Sequence, residues 1–151
     1  MTDVELQDTL IAELRKMKLQ KLDEEEWKDY SIYKQNEPFK DEDDPDGDYI
    51  IVIIDDEDTD KEDGRWMVTI QMILQVVSDR PENDGEVMLA NLMNQIDFRF
   101  RRKGIIGGRY EMQKEAYKRF NKNCPPGYYQ SAYITKWKMP EISMEGVGEL
   151  T

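Results

Sequence analysis

Few residue types in this chain could do chemistry, and most of them are carboxylates. The densest run is DDEDTDKED, Asp55 to Asp63, with Asp55, Asp56, Glu57, Asp58 and Asp60 at its heart. A divalent cation could sit there, since hard cations take oxygen ligands. A calcium-type loop, however, needs a glycine at its sixth position and a glutamate at its twelfth, and this run has neither. A solvated hairpin tip or contact loop is the expected reading, and no specific metal site or cofactor is expected. A second run, Asp41-Glu-Asp-Asp44, has the letters of a two-metal nuclease without its geometry. Such sites gather carboxylates from separate elements around metals about 4 Å apart, which a contiguous string does not do.

Nucleophilic chemistry fares no better. The chain has one cysteine, Cys124 in KNCPPG, and no histidine. A thiol there has no imidazole base, and Ser-His or Cys-His arrangements are excluded. One cysteine also excludes an internal disulfide framework and any multi-cysteine zinc site. GIIGG, Gly104 to Gly108, lacks the spacing of a phosphate-binding loop and follows a helix pattern rather than a strand. No catalytic residue is expected, and the chain reads as a non-enzyme.

Charge is the stronger signal. The net charge is −12, and it is segregated. Residues 1–65 hold 9 Lys+Arg against 23 Asp+Glu, whereas residues 99–138 hold 11 against 2. The basic zone, with Tyr110, Tyr117 and Phe120 in it, admits three readings: a nucleic-acid surface, an interface for an acidic protein, or a solvated strand. Arg99, Arg101, Arg102 and Lys103 form its densest part and close a helix pattern, where the dipole accepts cations.

The elements that must position these charges follow from periodicity. Thr2 or Asp3 can cap a helix running to about Leu19, with Leu6, Leu10, Leu14 and Met17 on one face. Residues 20–48 form an acidic, polar insert expected to be extended surface, with a possible helical turn at 23–30 and a turn at Asp44-Pro-Asp-Gly47. Tyr49–Ile54 reads as a buried strand, and Trp66–Val77 alternates as a half-buried one. SDRPENDG, residues 78–85, is a loop in which Asn83 or Asp84 can cap the next helix. That helix carries Val87, Leu89, Met93, Ile96 and Phe100 and stops at Gly104. Arg109–Phe120 alternates loosely and reads as a strand, although EMQKEAYKRF has good helix propensity too, and Tyr128–Trp137 reads as a final strand after a Pro-Pro-Gly turn. IIGG reads as a connection, and 143–151 as a disordered tail.

The expected fold is therefore α+β, in the order α-β-β-α-β-β. It is a two-layer sandwich of a mostly antiparallel four-stranded sheet, built from two hairpins, with two helices on one face. Residues 1–142 form one domain. No run of 18 apolar residues exists, so no membrane span is expected.

This layout resembles the tail terminator, or tail-to-head joining, proteins of long-tailed bacteriophages. The resemblance rests on an N-terminal helix before the strand YIIVII (49–54) and on a charged loop leading to a strand that ends in VVSDRPENDG (76–85). It continues in the helix EVMLANLMNQIDFRF (86–100) ahead of a basic turn, and in YYQSAYITKWKMPEI (128–142) after a Pro-Pro-Gly turn. The insert at 20–48 departs from the family's more compact pattern. The resemblance implies a ring, usually of six subunits, that caps the tail tube, halts its polymerisation and presents a surface to the head-tail connector. It implies self-association, a tail tube protein and a connector protein as partners, and DNA passing through the ring without specific binding. It also implies assembly in the bacterial host cytoplasm and residence in the virion. On that reading Asp55–Asp63 project as a contact or lumen loop, and Arg99, Arg101, Arg102 and Lys103 meet an acidic partner surface. A soluble adaptor that binds nucleic acid or an acidic protein through 99–138 is the alternative.

Overall fold

A computed structural model describes residues 2–17, 30–35, 47–78 and 85–141. Residues 18–29 and 36–46, the loop at 79–84 with the expected caps Asn83 and Asp84, and the tail lie outside the described residues. The first helix ends at Lys16 rather than near Leu19, since Met17 is already extended.

The elements are α1 (Asp3–Lys16), β1 (Ser31–Lys34), β2 (Tyr49–Thr59), β3 (Trp66–Val77), α2 (Gly85–Lys103), β4 (Ile105–Ile106), β5 (Tyr110–Asn121) and β6 (Tyr128–Lys138). The expected four-stranded antiparallel sheet is corrected. Six strands form one mixed sheet, curled into a half-barrel, in the order β1-β2-β3-β6-β5-β4. The two unforeseen strands sit at its two edges. β1 pairs with β2 in parallel through Ser31–Lys34 against Tyr49–Val52. β4 pairs antiparallel with Tyr110 and Glu111 through only Ile105 and Ile106. Both are too short to show a period of their own, and pairing alone makes them strands.

The four inner strands follow the sequence pattern. Val68, Ile70, Met72, Leu74 and Val76 of β3 are fully buried, on one face by the two-residue period. Their neighbours on that face are Ile50 and Val52 of β2, and Tyr133 and Trp137 of β6. Both helices pack on this same face. Leu6, Leu10 and Leu14 of α1 and Met88, Leu89, Leu92, Met93, Ile96 and Phe100 of α2 complete a single core. Thr2 caps α1, its hydroxyl accepting the Glu5 N–H at 3.1 Å. Gly104, at φ +69°, ends α2 in the left-handed region that favours glycine.

Two buried polar side chains in the sheet have clear uses. Thr135 accepts the Trp137 indole N–H at 2.8 Å, which explains a threonine at a core position. Gln75 and Gln130, paired across β3 and β6, bond each other at 2.9 Å on the helix-free face. Gln130 donates also to the Tyr49 hydroxyl, and Gln75 to the Gly47 carbonyl. Gly85, the first residue of α2, lies against the Tyr129 ring: an added Cβ would stand 2.0 Å from it. That close approach fixes where α2 starts above the sheet.

Candidate functional site

The acidic run is mostly strand rather than loop. β2 continues through Asp55, Asp56, Glu57, Asp58 and Thr59, paired with Trp66–Thr69 after a register shift between Ile54 and Asp56. Acids are poor strand formers, but the long partner β3 holds them extended. Only residues 60–65 form the turn. It is folded back rather than free: Lys138 Nζ lies 3.3 Å from Asp60 and 2.7 Å from Asp63. Arg65 donates its Nε–H to the Met139 carbonyl at 2.9 Å. The backbone N–H of Glu62 and the Lys138 ammonium hold the Asp60 carboxyl below its ordinary range. Asp63 is lowered in the same way, chiefly by Lys138, whose own pKa is raised in return.

Glu57 sits on the helix side of the sheet, opposite Val68, and meets Asp3 at the start of α1. Partial burial and the Asp3 contact, together with the Asp56 charge, push its pKa up. A raised folded-state pKa means that Glu57 favours folding while protonated and loses that contribution as pH rises through the raised value. Glu57→Gln is therefore expected to raise the melting temperature at pH 7. The gain should shrink as pH falls below the ordinary glutamate range, and thermal melts from pH 3 to 8 check this.

Three of the four basic residues at the end of α2 are occupied within the chain. Glu13, buried on α1, accepts from Arg99 Nε at 2.9 Å and from Lys103 Nζ at 2.7 Å. Arg101 holds Asp97 one turn back at 2.9 Å and reaches the Lys114 carbonyl of β5 at 3.1 Å. Asp97 also accepts the Tyr133 hydroxyl, and burial followed by that bond pushes the Tyr133 pKa far up. Arg102 lies over the Phe98 ring, 6.0 Å from its centroid, on the outer face of α2. The sequence offered a weak signal for Glu13: it is an acid inside the Leu6-Leu10-Leu14 stripe. It offered none for Lys138 as the clamp of the turn.

The rest of the basic zone lies on β5 and its turn. Lys114, Lys118, Arg119 and Lys122 are all exposed. Lys118 donates to Asn94, and Lys122 pairs with Glu86 at 2.7 Å. The acidic part of β2 and the basic part of β5 thus lie toward opposite edges of one sheet. Between them the helix-free face carries Ile53, Ile73 and Ile134, all partly exposed. Large apolar side chains are also exposed elsewhere: Trp66, Phe98, Ile105 and Tyr117.

Concave chemistry is weak by comparison. An open cleft of about 550 Å³ lies between the start of α2 and the β5–β6 turn, lined by Glu86, Lys122, Cys124, Pro125 and Tyr129 among others. Among the described residues that line it, the one acid and the one cation pair with each other. Among the described residues, no three His, Cys, Asp or Glu side chains are grouped to hold a metal ion. Among the same residues, no helix is long and apolar enough to cross a membrane. No protein-family model matches the chain, and no curated protein matches its sequence.

Proposed function

We propose that this chain is a non-enzymatic phage tail protein of the terminator kind. Its copies close into a ring, on the order of six subunits, at the end of the tail tube. The ring stops tube polymerisation, offers its other side to the head-tail connector, and lets DNA pass without specific binding. The chain is made in the bacterial cytoplasm and stays in the virion.

One observation carries this reading: a single curled sheet has an acidic rim along β2, a basic rim along β5, and partly exposed isoleucines between. Such a surface is complementary to a second copy in a head-to-tail sense. Head-to-tail contacts close into rings when the rotation per subunit permits. The overall charge of −12 suits a lumen through which polyphosphate slides, because like charges repel. The rival reading, an adaptor that binds nucleic acid through 99–138, has less support. Arg99, Arg101, Lys103, Lys122 and Lys138 already have anionic partners within the chain.

Solution mass tests self-association. Light scattering across protein concentration, with and without millimolar magnesium, is expected to show a discrete species of roughly six subunits, with annular particles in negative stain. Magnesium favours it by screening the self-repulsion of the acidic chain. Salt-sensitive binding to DNA by a species that stays monomeric would favour the adaptor instead.

A further inference from the structure

We infer that neighbouring copies join by backbone strand pairing, the acidic edge of β2 in one copy lying against the basic edge of β5 in the next. The inference rests on the ring reading above and specifies its interface.

Among the described residues both edges are open in part, and each opening has a defined start. β1 covers β2 only as far as Val52. Just beyond, Gln35 takes over: its N–H donates to the Val52 carbonyl at 2.9 Å, and its Oε1 accepts the Ile54 N–H at 2.6 Å. From Asp55 to Thr59 no strand among the described residues lies along that edge. The Glu57 N–H there donates to Asp56 Oδ1 at 2.9 Å, so a carboxylate stands where a strand carbonyl would. At the other edge, β4 covers only Tyr110 and Glu111. The Met112 N–H goes to the Gly104 carbonyl, and the Lys114 carbonyl is taken by Arg101. From Glu115 to Asn121 no strand among the described residues lies along that edge.

An uncovered strand edge is a template for another strand, and like charge is the usual means of blocking it. Here the charges select rather than block. Two β2 edges would set Asp55, Asp56, Glu57 and Asp58 against their own copies, and two β5 edges would do the same with Lys118 and Arg119. Only the unlike pair is favourable, which excludes a two-fold contact and leaves the head-to-tail one. Strand direction agrees. β2 runs antiparallel to β3, β3 to β6 and β6 to β5, so a β2 from the next copy continues the alternation against β5. Face parity agrees as well. Glu57 and Lys118 both lie on the helix side, opposite Val68 and Tyr133. Asp56 and Arg119 both lie on the other side, opposite Thr69 and Ala132. A register that sets Glu57 against Lys118 therefore also sets Asp56 against Arg119. The open stretches occupy diagonal corners of the sheet, so successive copies slip along the strand axis. A closed cylinder with tilted strands requires that kind of slip.

Two charge-reversed variants test the inference. One carries Asp55→Lys, Asp56→Lys and Asp58→Lys; the other carries Lys114→Glu, Lys118→Glu and Arg119→Glu. Each alone is expected to associate about 100-fold or more weakly than the parent in sedimentation velocity. An equimolar mixture is expected to recover the parent assembly, with the two chains alternating, because each reversed edge then meets an unlike edge. Rescue on mixing also shows that both variants are folded. Single variants that assemble like the parent would overturn strand-edge pairing and leave the ring reading standing. Loss without rescue, with both variants giving native circular dichroism and cooperative melts, would overturn it equally. A parent that is monomeric at millimolar concentration would remove the pairing. If that parent also failed to limit tube length, the ring reading would fail with it.

Discussion

Trp137→Ala is expected to cost about 4 kcal/mol of folding stability, the largest effect of any single change proposed for this chain. Trp137 is fully buried in β6. It stands between Val68 of β3 and Met112 of β5 and meets the Phe100 ring of α2 edge-on, with centroids 5.7 Å apart. Truncation would open a cavity among three elements, and the rigid sheet cannot close it. It would also leave the Thr135 hydroxyl without the indole N–H it accepts. For a chain of this length the loss corresponds to a fall of roughly 12 °C in melting temperature. Trp66, near the turn end of the sheet and about half exposed, is the internal control: Trp66→Ala should cost less than about 1 kcal/mol. Chemical denaturation of the two variants side by side checks both numbers. Equal losses would mean that the core is not centred where Trp137 lies.

Glu13→Ala is expected to cost about 2 kcal/mol at neutral pH. The carboxylate is buried and receives charged hydrogen bonds from Arg99 and Lys103, tying α1 to the end of α2. Burial opposes its ionisation, but the Lys103 and Arg99 bonds and charges outweigh burial and hold its pKa below the ordinary glutamate value. A lowered folded-state pKa contributes stability that is present above the unfolded-state value and lost as pH falls through the folded-state one. The difference between parent and Glu13→Ala should therefore narrow in acid. The two cations are each about two-fifths exposed, so water can take them back, which keeps the loss below that of a fully buried pair. Urea melts of Glu13→Ala, Arg99→Ala and the double variant measure the coupling. A coupling near zero would make Glu13 a packing residue only.

The two helices and β3 were legible because each repeats its period often enough to declare it, β2 because its short continuous apolar run suits a buried strand, and β5 least of all, because it alternates only loosely in a segment with good helix propensity. Six alternating apolar positions in β3 and three leucines at four-residue spacing in α1 are examples. β1 and β4 were not legible, for a physical reason. Four residues in a polar segment and two isoleucines after a helix gain strand geometry only from the neighbour they pair with. The end of β2 was misplaced for a similar reason. Aspartates suggest a loop, but pairing with Trp66–Thr69 extends them five residues further. Charge segregation was visible in the chain, and the fold sets it on opposite rims of one sheet. What periodicity could not reveal is which charges are already used. Glu13 shows only as an acid inside an apolar stripe, and Lys138 looks like an ordinary surface residue until the turn at 60–65 comes into place.

Capping of the tube by this chain is tested most directly by the length of tail tubes assembled in its presence. Purified tube protein from the same phage or prophage would be polymerised with increasing amounts of the chain, and tube lengths read by electron microscopy. Shorter tubes are expected, with a density cap at one end only and saturation once about six chains are present per tube end. Tubes of unchanged length with bare ends, formed beside excess folded chain, would mean that the chain does not terminate tails.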